Sequence, residues 1–280
     1  MTTTTSSSVQ VGARSTPPGR QTLARALAFE WLKARTLRAT WIGMGFILVV
    51  LLGFGALAAA MSTGSVAAPE GGGPPSADGP LATVLTGADF AVLIAGVLGS
   101  VAGAREYGSR MIAATVAAVP RRWQVVVSKA AVFGGLTLVT SALGVLLAYL
   151  VGMRILDASD APTVSLADSG VVREMFGMAA YITAIALIGV GLGIVLRSVA
   201  SSIGAVVAGV IILPALAGAL LPDSWDPVLQ YFPSSAAAGF TTVLPAGDET
   251  LSAIAGALTL LGWVLVALGA AAVTVTRRDV

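Results

Sequence analysis

Six stretches of this chain are apolar and long enough to cross a lipid bilayer, and no other feature restricts its fold so strongly. Crossing ~30 Å of hydrocarbon as a helix takes roughly 20 mostly apolar residues. The stretches that qualify are Trp41 to Met61, one that ends at Ala104 and begins between Leu81 and Ala88, Val125 to Val151, Met175 to Leu196, Val199 to Leu221, and Leu251 to Val275. Only Arg197 and Ser198 separate the fourth from the fifth. We read that junction as a tight helical hairpin at the membrane surface, because one continuous helix would be about twice the bilayer thickness. The expected fold is an all-α integral membrane protein with six transmembrane helices, filling 41–280 with spans at about 84–104 for the second and 251–275 for the last. Composition agrees: 56% of the 280 residues are hydrophobic, 11% are charged, and the mean hydropathy is +0.90. A soluble domain has about a quarter of its residues charged.

The net charge of +2 hides a strong sorting of cations. The N-terminal segment carries Arg14, Arg20, Arg25, Lys33, Arg35 and Arg38. The second connection carries Arg105, Arg110, Arg121, Arg122 and Lys129, the fourth Arg197, and the tail Arg277 and Arg278. Only Arg154 and Arg173 fall on the other side, where Glu70, Asp78, Asp157, Asp160, Asp168, Asp223, Asp226, Asp248 and Glu249 collect. The positive-inside rule therefore predicts both termini in the cytoplasm and a multi-pass protein of the cell membrane.

Residue types exclude several chemistries. The chain has no Cys, no His and no Asn. Disulfides, thiol nucleophiles, histidine-ligated zinc and a Ser-His-Asp triad are thereby ruled out. There is no Gly-x-x-x-x-Gly-Lys-Ser/Thr loop to cradle nucleotide phosphates, so the chain itself is not expected to hydrolyse ATP. Residues 1–22, rich in Thr and Ser, cannot bury enough apolar surface to fold and read as a disordered cytoplasmic tail.

The segments between spans carry more. Leu23 to Thr40 has no Gly or Pro and is expected to be one helix leading into the first span. Leu23, Leu27, Trp31, Ala34 and Leu37 recur on one face, with Glu30 and Arg38 intruding on it. A basic helix with Trp beside a span lies in the cytoplasmic interface, or is an ordinary basic flank. In the second connection Ser109 is placed to cap a helix running to Val119. Pro120 stops it, and Arg121, Arg122 and Trp123 fix the return to the bilayer. About a dozen residues of mostly apolar helix on the water side call for a protein partner, unless the helix rests on the membrane. Leu221 to Thr250 is too apolar for a solvated loop, and short helices dipping into the outer surface suit it. The first connection, Gly71 to Pro75, reads as flexible. Gly99/Gly103 and Gly189/Gly193 are small-xxx-small pairs that let helices approach closely in lipid, although a chain with 33 glycines produces such spacings without purpose.

Three stretches together resemble the permease subunits of ABC type-2 exporters, especially short actinobacterial ones. They are Glu30-Trp-Leu-Lys-x-Arg-x-x-Arg38 with Thr40-Trp41; Glu106-Tyr-Gly-Ser-Arg-Met-Ile with Thr115, Pro120-Arg-Arg122 and Lys129; and Leu220-Leu-Pro222 leading to Tyr231-x-Pro-Ser234. The resemblance implies that 23–40 is an interfacial connecting helix carrying Glu30, Trp31, Lys33, Arg35 and Arg38. It implies a coupling helix at 106–119 seated on a nucleotide-binding subunit. The coupling residues are then Arg105, Glu106, Tyr107, Gly108, Arg110, Met111, Ile112, Pro120, Arg121 and Arg122. It implies outer re-entrant helices at 222–245 carrying Pro222, Trp225, Phe232 and Pro233. Two permeases, identical or paired, would pack with two ATPase subunits that bind ATP and Mg; the chain itself needs no cofactor, and no nucleic acid is implied. The expected function is an exporter's translocation path, for hydrophobic or amphipathic cargo such as a drug, lipid or peptide. Glu106, pairing with Arg105, Arg110 or Arg38, is expected to transmit the ATPase's push, unless it is a plain interfacial charge. The alternative is an ATPase-independent membrane protein. A secondary transporter is disfavoured because only Asp89 approaches a mid-span charge and no inverted repeat is evident. A scaffold or immunity protein stays open, since fold alone does not fix function. An intramembrane enzyme lacks a credible acid, base, thiol or metal set.

Overall fold

The computed structural model describes residues 22–67, 79–108, 123–242 and 251–277. Among them every regular element is helical. Six helices are long and apolar enough to span a membrane. These are α2 (Arg38–Ser62), α4 (Gly87–Gly108), α5 (Trp123–Asp157), α6 (Val171–Leu196), α7 (Val199–Leu220) and α10 (Ala253–Arg277), joined by α1 (Leu23–Thr36), α3 (Pro80–Val84), α8 (Asp226–Leu229) and α9 (Pro233–Thr241). The tail before Thr22 and the first connection at Gly71 to Pro75 lie outside the described residues.

One expectation is corrected at the start of the chain. Residues 23–40 do not form a single helix: α1 ends at Thr36, Leu37 is extended (φ −81°, ψ 107°), and Arg38 to Thr40 already belong to α2. Helix propensity alone gives no reason for a break here. The interruption is held by groups that satisfy the terminal carbonyls of α1. The Leu37 N–H and the Thr36 hydroxyl both donate to Lys33 O, at 3.1 and 3.2 Å. The Thr36 hydroxyl also lies 3.0 Å from Leu32 O. Across the break, the Trp41 indole N–H donates to Arg35 O at 3.1 Å. The break lets α1 turn away from the axis of α2 and lie against α5.

The junction of α6 and α7 is a hairpin of two residues. Arg197 adopts the left-handed conformation (φ 53°, ψ 17°) and its N–H reaches Gly193 O, closing α6. Ser198 is extended, and its hydroxyl accepts from the Ser201 N–H at 3.3 Å, opening α7. Inside α7 a π-helical turn at Ala208–Ile212 precedes Pro214. Proline has no N–H to give and its ring crowds the preceding turn, so a widened turn absorbs the mismatch.

The centre of the bundle is α6. Of its most apolar window 67% is buried, against 22% for α10 and 6% for α7. Lipid is as apolar as leucine, so helices in a bilayer gain from close packing of small residues rather than from hydrophobic burial alone. The α4–α6 seam does this with glycine. A Cβ on Gly99 would collide with Ala186 O, on Gly103 with Val190 O, on Gly189 with Gly96 O, and on Gly193 with Ser100 O. The two small-xxx-small pairs are thus packed on each other. Ile47, Leu51, Ile182 and Ile185 fill the main core, while Val126, Val190, Ile194, Ala271 and Val275 make a smaller cluster toward the end where α5 begins and α10 ends. We call that end proximal; α1 lies on it. At the distal end α9 packs on α6 and α10, where Gly177 meets the backbone at Phe240 and Gly256 that at Ala236.

Candidate functional site

Four stripes of residues converge at the proximal end. On α1 they are Glu30, Lys33, Ala34 and Thr36, with Leu37 at the break; on α2, Ala39, Thr40 and Met44; on α4, Leu98, Val101, Ala102 and Arg105; on α5, Lys129, Val132 and Phe133. On α4 and α5 the lining residues recur every three or four positions, the repeat that puts side chains on one face of a helix. Between them lies a cavity of about 440 Å³. Its body is apolar, and its charged groups are Glu30 and Lys33 on α1, Arg105 in the last turn of α4 and Lys129 in the second turn of α5.

Glu30 and Lys129 define the floor of this site. The Lys129 ammonium donates to Glu30 Oε2 at 3.0 Å, and each side chain is 7% exposed. Lys33 Nζ stands 3.6 Å from the other carboxylate oxygen and 5.6 Å over the Phe29 ring. The only two lysines of the chain therefore meet at one glutamate. Ala26 and Glu30, one turn apart, are the buried residues of α1. The face of α1 that meets the protein is thus the charged one. Leu23, Phe29, Trp31 and Leu32 are exposed, as suits a helix whose other side meets lipid.

The sequence pattern made Glu30 an intruder on an apolar face, and grouped Lys129 with the flanking cations. Both readings are corrected: Lys129 lies in the second turn of α5 and points inward, beside buried Val125, Val126 and Ser128. The usable signal was the scarcity of lysine together with a lone glutamate in a basic helix. An ion pair buried this deeply adds little net stability over an apolar replacement, but breaking it is costly. Its effect is to fix how α1 sits on α5.

The remaining expected residues divide by position. Trp31, Arg35 and Arg38 are exposed, and the Arg35 carbonyl serves the break described above. Arg105 borders the cavity. Glu106, Tyr107 and Gly108 form the last backbone turn of α4. Arg110, Met111, Ile112, Pro120, Arg121 and Arg122, and the expected pairing of Glu106, lie outside the described residues. At the distal end Pro222 and Trp225 are exposed, Phe232 is half-buried and Pro233 is buried at the start of α9. That segment is fastened from two sides: the Trp263 indole N–H donates to Tyr231 O at 2.9 Å, and the Arg173 guanidinium donates to Thr242 O at 3.2 Å. It contributes nothing to the proximal cavity. No protein-family model matches the chain, and no curated protein matches it significantly.

Proposed function

We propose that this chain is the transmembrane permease subunit of an ATP-binding cassette exporter, driven by a separate ATPase. The observation that carries the reading is the buried Glu30–Lys129 pair. It joins the helix before the first span to a helix whose first residue, Trp123, directly follows the expected ATPase-docking segment. A displacement of that segment would reach α4 and α5, which flank it in the chain, and through a 3.0 Å ionic contact with α5 it would reach α1 as well. Two stiff elements linked in this way suit rigid-body rocking between inward- and outward-facing states. The nearly bare flank of α7 supports a second permease, identical or paralogous, beside this one. In this reading both termini are cytoplasmic in the cell membrane, two ATPase copies bind ATP and Mg, and the cargo is hydrophobic or amphipathic. The distal helices at 223–241 form an outer re-entrant cap.

Co-purification from the native membrane tests the reading. An ATPase with a phosphate-binding loop should accompany the chain, and Met111→Arg with Ile112→Arg should release it. Association untouched by that double substitution, or transport in vesicles that lack any ATPase, would refute the proposal.

A further inference from the structure

The distal end of the bundle is poor in cations. Those it has are Arg154 and Arg173, and the undescribed segments at this end, 68–78 and 243–250, contain no Lys or Arg. Arg154 is exposed in the last turn of α5, and Arg173 stands next to Glu174 and donates to Thr242 O. Asp89, in the first turn of α4, is exposed and makes no ion pair or hydrogen bond among the described residues. A carboxylate in a spanning helix with no cation beside it is costly, and it marks a place where a cation binds.

Tyr181 on α6 faces the same place. The glycine seam sets α4 and α6 parallel, with Gly99 on Ala186 and Gly103 on Val190, and that register brings Tyr181 to the depth of Asp89. The Asp89 charge acts on the Tyr181 phenol. Tyr181 is 9% exposed, yet its hydroxyl has no hydrogen-bond partner among the described residues. A buried hydroxyl ordinarily has one. The third wall is α7. Val206 meets α4 at Gly96, which lies seven residues deeper than Asp89 on the same face. Because α7 runs in the opposite direction, Leu213 and Pro214 come to the depth of Asp89. Ser202 and Val206 are the buried residues of α7, and none from Ala208 to Leu220 is buried. Beyond Val206, then, α7 stands off the bundle and leaves a crevice against α4 and α6.

We propose that this crevice binds an amphiphilic amine, its ammonium N–H groups shared between the Asp89 carboxylate and the Tyr181 hydroxyl oxygen, and its apolar tail beside Leu93 and Leu213. An ammonium has three donors and no acceptor, so a carboxylate and a phenol oxygen together suit it. The carboxylate supplies the opposite charge, and a charge-assisted bond is about twice as strong as a neutral one. The site is separate from the proximal cavity, and it does not depend on an ATPase driving the chain.

Calorimetry of the full chain in phosphatidylcholine nanodiscs, with empty nanodiscs subtracted, tests this. The probes are hexylammonium, hexyltrimethylammonium, hexanol and methylammonium. Wild-type protein should bind one hexylammonium at least about tenfold more tightly than hexanol, which has no charge, and than methylammonium, which has no tail. Hexyltrimethylammonium, which has no N–H, should bind about tenfold more weakly than hexylammonium. Asp89→Asn should lower hexylammonium affinity about tenfold and Tyr181→Phe about fivefold, with hexanol unchanged in both. Asp157→Asn, at an exposed acid of the same end, should change nothing. Absence of saturable hexylammonium binding overturns the proposal, as does binding equal to that of hexanol or binding untouched by Asp89→Asn. Methylammonium binding as tightly as hexylammonium overturns the amphiphile in favour of a small cation. Tyr181→Phe without effect overturns the shared N–H geometry. Nanodiscs remade with phosphatidylethanolamine should leave hexylammonium binding unchanged; competition there assigns the crevice to a lipid head and overturns a free amine.

Discussion

Lys129→Met is the sharpest test of how α1 is held. Both side chains of the Glu30–Lys129 pair are 7% exposed and their charged atoms are 3.0 Å apart. Removing one member of a buried pair costs about 3–5 kcal/mol, because the survivor keeps its charge without compensation. Lys33, 3.6 Å from the other carboxylate oxygen, takes over part of that role, so the cost falls at the lower bound, about 3 kcal/mol. Lys33→Met alone removes a contact whose cation is 22% exposed, worth about 1 kcal/mol or less. Removing both lysines costs more than the sum by on the order of 1 kcal/mol, since the second loss deprives Glu30 of the cation that had replaced the first. The assay is amide hydrogen exchange along Leu23–Thr36 in nanodiscs, with α6 as the internal reference. At ~1.4 kcal/mol per tenfold, Lys129→Met should speed exchange in α1 by about 150-fold and Lys33→Met by about fivefold at most. Glu30→Leu with Lys129→Met should return α1 close to wild-type protection, because an apolar pair needs no compensation. Equal exchange in the two single lysine variants would refute the reasoning, as would a double variant that merely adds.

Other outcomes follow from the packing. Gly99→Leu and Gly189→Leu each drive a side chain into the backbone of the facing helix and should lower stability by more than the ~1–3 kcal/mol of ordinary overpacking. Gly135→Ala and Gly262→Ala, which meet nothing within 4 Å, should gain about 0.5 kcal/mol, and thermal denaturation ranks all four. Trp41→Phe removes the indole bond across the break at Leu37, costs about 1 kcal/mol, and should loosen α1 far less than Lys129→Met in the same exchange experiment. Single cysteines can be introduced into a chain that has none. One at Ser159 should react with an impermeant maleimide on intact cells, and one at Thr276 only after permeabilisation; the reverse would overturn the proposed orientation.

The spans were legible because the bilayer imposes length and polarity directly, and these survive in a linear reading. The hairpin was legible for the same reason: no single helix of that length fits. The glycine seam was half legible. Its spacing was visible, but whether a glycine meets a backbone or nothing depends on the partner helix: Gly99 meets Ala186 O, while Gly135 has nothing within 4 Å. The break at Leu37 was illegible, since no residue there breaks helices and one of the bonds that hold it joins an indole to a carbonyl six positions away. The Glu30–Lys129 pair spans 99 positions. Periodicity within α1 counted Glu30 as a flaw because it asks which face is apolar, whereas this helix turns a charged face to the protein and an apolar one outward.

The two-residue joint at Arg197 and Ser198 has a consequence for how the protein is made. Too little chain separates α6 from α7 for one to settle in the bilayer while the other waits outside. The two must arrive as a unit, with the buried α6 and the almost uncovered α7 committed at the same moment. Biogenesis then lays down the middle of the molecule together with its barest flank, and α10, which completes the covering of α6, comes afterward. During that interval Gly191, the site where α6 receives α10 at Ala267, stands open. A substitution there would injure assembly before it injured the finished protein.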